Sequence, residues 1–314
     1  MKFGLVFVII AILIALCQPQ ITFSGAVSGL NIWFFQLLPT LLPFMILSNI
    51  LLSDPVQEYI FARMSPLRAK KIRILFAVLA GLTFGLPIGA KMAKDLYQKN
   101  LIDAREGQIL LNHCNLIGPS FVGSYVLTKK LDLPDLFGIS LLLLYLPHIL
   151  CLVCFFSKKE ATTEQKIHIT SYGKTTRKAT PRLRNCFQIL NVAIMNGFET
   201  ITILGGYLIL FGIFCAFVKE IQFLPTGLRA CILAFLEITI GIHEISILEI
   251  SGMVKYLCAI PLLSFGGLCT AMQTWSVCMG APFSMRNYIK ERLLFALISG
   301  LLTICLLYTS DAAD

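Results

Sequence analysis

Helix-breaking residues stand in this chain at depths where a membrane protein ordinarily needs unbroken helix. The first set is Gly85-Leu86-Pro87-Ile88-Gly89-Ala90-Lys91, followed past a polar stretch by Asn112-His113-Cys114-Asn115-Leu116-Ile117-Gly118-Pro119-Ser120. The second is Glu237-Ile238-Thr239-Ile240-Gly241, followed by Ser264-Phe265-Gly266-Gly267 and Gln273. Hydrocarbon cannot hydrogen-bond loose backbone, so a broken helix persists there only when buried in protein or facing a wet cavity. Interruptions recurring at matching places in two halves of a chain point to a transport site between repeats.

The surroundings of these breaks are those of a membrane. Apolar residues make up 57% of the 314, and only 14% are charged, well below a soluble domain. Residues 26–52, 136–156 and 197–218 are each long enough to cross hydrocarbon as helix, with Glu199 their lone charged residue. The net charge of +9 lies in short loops, where it orients the chain in the bilayer, and nucleic acid is excluded as a partner. Most of the 11 cysteines fall within apolar segments, including the pair Cys151 and Cys154, so neither a disulfide framework nor a redox motif is expected. Residues 3–16 read as an uncleaved first helix, because no convincing cleavage site follows them.

The fold class expected is all-α: a polytopic membrane protein with an inverted repeat of helix, re-entrant hairpin, broken helix and helix. Residues 1–25 form a first transmembrane helix and turn, 26–156 a first repeat, 157–185 a basic cytoplasmic linker, and 186–307 a second repeat. Residues 308–314 read as a non-native tail. An apolar arm over 74–86 is too short to span and suits one limb of a hairpin, with a return limb over 90–105. With the amino terminus in the cytoplasm, this scheme leaves only Lys129, Lys130, Lys219, Arg229 and Lys255 of the 26 basic residues outside. The two hairpins then enter from opposite faces.

The runs Leu38-Pro39-Thr40-Leu41-Leu42-Pro43-Phe44, Gly85 to Lys91 and Cys114 to Phe121, with Leu236 to Gly241, Ser264 to Leu268 and Gln273, resemble the sporulation integral membrane proteins of the YlbJ type. The resemblance covers roughly residues 25–305. It implies two nucleoside-recognition, or Gate, domains related in fold to sodium-coupled concentrative nucleoside transporters. It further implies a role in spore formation, moving dipicolinic acid across a forespore membrane. A Gate label describes a shape and assigns no nucleoside specificity.

The candidate substrate-binding residues are Pro87, Gly89, Lys91, Asn115, Gly118, Ser120, Glu237, Thr239, Gly266, Gly267 and Gln273. Half-helix amino termini at the tips offer free N–H groups to a carboxylate. Lys91 either pairs with that anion or snorkels to the surface. Asn115 is the best polar ligand of the first half, against a purely structural interhelical bond. Glu237, a carboxylate in an apolar run, is functional by default, with a helix N-cap or a pair with Lys91 as the structural alternatives. His113 and His148 read as hydrogen-bonded core residues, and Glu199 as interfacial. No metal-ligand spacing, nucleophile elbow or phosphate loop appears, so no enzyme, cofactor or metal is expected. A coupling ion, Na+ or H+, and a homo-oligomer are left open. The expected function is transport of a small anionic metabolite in the bacterial cell membrane. A nucleoside or other metabolite transporter, and a non-transporting sporulation assembly protein, stay open beside it.

Overall fold

A computed structural model describes residues 13, 15–61, 64–162 and 183–311. Every regular element among them is helical. Most of the expected first helix, the central part of the basic linker and the last residues of the tail lie outside the described residues.

Helices α1 (Pro19–Ile32) and α2 (Leu38–Leu51) form one long apolar rod, joined by a π-helical turn over Trp33–Leu37. Pro39 has no N–H to give the Phe35 carbonyl one turn back, and its ring crowds that carbonyl, which accounts for the widened turn. The turn projects Trp33 so that its Nε1 donates to the Ile201 carbonyl at 2.7 Å. The rod begins at Pro19 and not at 26, because proline is well suited to a first helical turn.

After α3 (Asp54–Phe61) come α4 (Pro66–Phe84) and α5 (Ile88–Gln98), which pack together as a hairpin around a tip at 85–87. The expected short arm is corrected here: α4 has 19 residues, and Arg68, Lys70, Lys71 and Arg73 lie on its first turns and not in a loop. Length therefore does not distinguish α4 from a crossing helix. A capping box starts α6 (Ala104–Cys114): the Asp103 side chain accepts from Glu106 N–H and the Glu106 side chain from Asp103 N–H, each at 2.8 Å. The chain is non-helical over 115–118, then winds as a wide π-helix, Phe121–Leu131. A single 3-10 turn leads into α7 (Phe137–Thr162), which runs through residues 157–162 of the expected linker.

The second half opens with α8 (Leu183–Lys219), in which the amphipathic lead-in over 185–196 is continuous with the spanning stretch that follows. Then come the hairpin limbs α9 (Thr226–Leu236) and α10 (Ile238–Ser246), the broken pair α11 (Gly252–Phe265) and α12 (Leu268–Cys278), and finally α13 (Met285–Asp311). Among the described residues, four helical stretches are long and apolar enough to cross a membrane: Pro19–Leu51, Pro134–Ser157, Cys186–Lys219 and Gly252–Cys278.

Packing follows the rule for helices in lipid, where small residues let backbones meet. Gly25 and Gly29, four apart on α1, lie against α8 so closely that a Cβ on Gly29 would fall 2.2 Å from the Leu208 carbonyl oxygen. Lipid-compatible faces stay outside: Leu142, Leu146, Leu150 and Val153 of α7, and Leu293, Leu294, Leu297 and Leu301 of α13, are exposed. The buried stripe of α13 is Tyr288, Arg292, Phe295, Ser299 and Thr303, spaced at helical period and mostly polar. Such inside-out patterning suits a protein whose solvent is hydrocarbon.

Candidate functional site

Each helix stop has a local cause. At the first tip, Gly85 ends α4 with φ of 79°, a conformation that costs other residues dearly, and Pro87 precedes α5. At the second, Glu237 is in extended conformation and its side-chain Oε2 accepts from Ile240 N–H at 2.7 Å, capping α10. Gly266 and Gly267, both with φ of 89°, separate α11 from α12.

The tertiary structure brings the two tips and the two breaks into contact. A Cβ on Gly85 would lie 2.5 Å from the Gly118 nitrogen, and one on Gly89 would lie 2.4 Å from the Cys114 carbonyl oxygen, so the first tip rests on the first break. A Cβ on Gly267 would meet Ile238 nitrogen at 3.3 Å, so the second tip rests on the second break. The halves meet where Leu86 Cδ1 lies 3.5 Å from the Cβ position of Gly266. Tyr125, on the π-helix, donates to the Thr239 carbonyl at 3.1 Å and ties the first half to the second hairpin.

Asn115 is wholly buried at this junction. Its Oδ1 accepts from Ala90 N–H at 3.1 Å, in the first turn of α5, and its Nδ2 donates to Thr274 Oγ1 at 2.9 Å and Tyr288 OH at 3.1 Å. One side chain thus joins the first hairpin, α12 and α13. In this conformation its polar atoms are engaged by protein, so contact with a ligand requires exchanging one of these bonds. Pro87, Gly89, Thr239, Gly266, Gly267 and Gln273 are also buried here, and Gln273 Nε2 lies 3.4 Å from Cys269 Sγ. Gly118 is half-buried and Ser120 is exposed. Lys91 pairs with Asp95, one turn along its own helix, at 2.7 Å, and not with Glu237.

The sequence reading missed Arg292. Placed with Arg286 and Lys290, it reads as one of a basic cytoplasmic flank; folded, it is 2% exposed. Its guanidinium donates to the Asn115 carbonyl, to the Ser264 carbonyl at 3.2 Å and to Tyr288 OH at 3.1 Å. The two carbonyls belong to the carboxyl ends of the two broken half-helices, where the helix dipole is negative. One buried cation therefore ties both breaks to α13. The readable signal was the polar stripe of α13, at the spacing of residues 288, 292, 295, 299 and 303.

Beside Arg292, His113 and His148 face each other with Nδ1 atoms 3.1 Å apart, and the His148 ring stacks on Phe295 with centroids 3.9 Å apart. Tyr145 donates to the Ile117 carbonyl at 2.5 Å, holding the unwound segment after Asn115.

An all-helical protein with several spanning stretches, apolar outer faces and a polar interior is an integral membrane protein, and that much the fold and its centre define. The chain is similar to the sporulation integral membrane protein YlbJ of Bacillus subtilis (strain 168), at 24% identity over 331 aligned positions that take in 93% of this chain and 80% of the relative. No protein-family model and no solved structure matches it.

Proposed function

We propose that the chain is a secondary transporter or facilitator of a small organic anion in the bacterial cell membrane. The anion to which its resemblance points is dipicolinate, carried across a forespore membrane during spore formation. The observation that carries this reading is the meeting of two hairpin tips and two helix breaks around buried Asn115, Glu237 and Arg292. Non-helical backbone and ionisable groups are costly in a bilayer and concentrate where a permeant is handled. Alternating access follows from movement of the α4–α5 and α9–α10 hairpins against α1, α2 and α8, with Na+ or H+ as the candidate coupling ion. The basic 157–185 linker remains cytoplasmic in this scheme.

Labelled pyridine-2,6-dicarboxylate loaded into proteoliposomes tests the proposal. The native chain is expected to accelerate its flux over empty liposomes, and Glu237→Gln and Asn115→Ala to reduce that flux severalfold or more. Flux equal to empty liposomes rejects the function. Flux unchanged in both variants rejects the site. Uridine carried in preference to the dicarboxylate would assign the chain to the nucleoside alternative.

A further inference from the structure

A small cavity lies where the unwound segment after Asn115 meets α7, α11 and α13. Its wall includes Ile117, Tyr145, His148, Ser264 and Arg292, and its volume is about 10 Å³, room for about one water-sized group. Two features of this wall go beyond what folding requires.

The first is the guanidinium of Arg292. It carries five N–H donors, and the bonds to Tyr288, Ser264 and Asn115 occupy three. Among the described residues no carboxylate lies within ion-pair distance of it. Helix-terminal carbonyls offset part of a buried charge, but a full counter-charge is the usual companion of a buried arginine.

The second is His148, whose Nε2 is buried without a hydrogen-bond partner. Its Nδ1 faces the Nδ1 of His113, so one atom must donate and the other accept. When His113 donates, His148 carries its own proton on Nε2, the atom left over. Stacking on Phe295 holds the ring in that pose. With that tautomer, an unsatisfied donor and an uncompensated cation share one cavity wall and ask for the same thing, an acceptor bearing negative charge.

We propose that this cavity seats a carboxylate group of an organic anion, which accepts from the remaining N–H groups of Arg292 and from Nε2–H of His148. The inference rests on the transport reading and names the part of that site which takes the ligand's charge. The planar fork of a guanidinium matches two carboxylate oxygens, as a lysine does not. At about 10 Å³ the cavity is smaller than a carboxylate, so seating the head group, and the ring attached to it, requires the walls to part, coupling binding to movement of the unwound segment.

Calorimetric binding of pyridine-2,6-dicarboxylate to the purified full chain in nanodiscs tests this, with chloride and uridine as competitors. His148→Phe keeps the stack on Phe295 and deletes the Nε2 donor; Arg292→Lys keeps the charge and deletes the fork. Each is expected to weaken carboxylate binding about tenfold or more, the scale of one charge-assisted hydrogen bond, while His148→Phe, which also removes the partner of His113 Nδ1, still folds and melts about 2–6 °C below native. Should Arg292→Lys fail to fold, His148→Phe decides alone. Binding within about twofold of native in His148→Phe overturns the seat, as does displacement of the dicarboxylate by equimolar chloride or by uridine. If that happens while flux persists, the transport reading stands; if binding is lost as expected but the native chain moves no dicarboxylate, the seat stands and the transport reading falls.

Discussion

Replacing Asn115 by leucine is the most direct test of how the centre is held. Leucine is close to asparagine in size but offers no polar atom, so the bonds with Ala90 N–H, Thr274 and Tyr288 vanish together. The two hydroxyls can turn to other partners, at about 1 kcal/mol lost for each. Ala90 N–H cannot turn: it belongs to a wholly buried residue in the first turn of α5, where no carbonyl of the same helix reaches it. Stranding a buried donor costs about 1–3 kcal/mol. The total is about 3–5 kcal/mol, which at roughly 2 °C per kcal/mol for a chain of this size lowers the melting temperature by about 6–10 °C. Thr274→Val deletes a single bond and should cost about 2 °C on the same scale. Fluorescence of Trp33 and Trp275 during heating at one fixed rate in one detergent reads both, since unfolding of such proteins is seldom reversible. If Asn115→Leu melts within about 2 °C of the native chain, Asn115 does not hold the junction together and the energetic account fails.

Two further expectations come from the same geometry. An alanine at Gly241 would set its Cβ 1.9 Å from the Ala234 Cα, so Gly241→Ala should yield little folded protein by size-exclusion chromatography, while Gly206→Ala, with open space around it, should leave yield and melting temperature unchanged. At Glu237, glutamine still accepts from Ile240 N–H and should melt within about 1 °C of native, whereas alanine loses a cap worth about 1 kcal/mol and should melt about 2 °C lower; equal melting of the two variants would deny the cap.

The comparison of residues with coordinates divides along the range of the forces involved. Asn115 and Lys91 look alike in sequence, as polar residues beside a break. Asn115 joins three elements, while Lys91 spends its charge on Asp95 one turn away. Nothing local separates them, because the deciding partners are Thr274 and Tyr288, more than 150 residues along the chain. Glu237 was legible as either ligand or cap, and the cap is what its extended backbone permits. Arg292 was misread because a basic residue near an apolar segment looks interfacial; its burial depends on which face of α13 turns inward.

What the residues determine unaided is therefore where helix can run and where it must stop. Hydropathy marks the spanning stretches, and the chain yields at Gly85, Pro87, Gly266 and Gly267 because φ preference and a missing N–H act within a few bonds. Only the tertiary structure decides that these interruptions touch one another, that Asn115 and Arg292 tie them together, and that His148 is left with a free nitrogen beside a buried cation. Those outcomes turn on the packing of faces distant in sequence, where burial changes the value of every charge and hydrogen bond, and no local pattern carries that information.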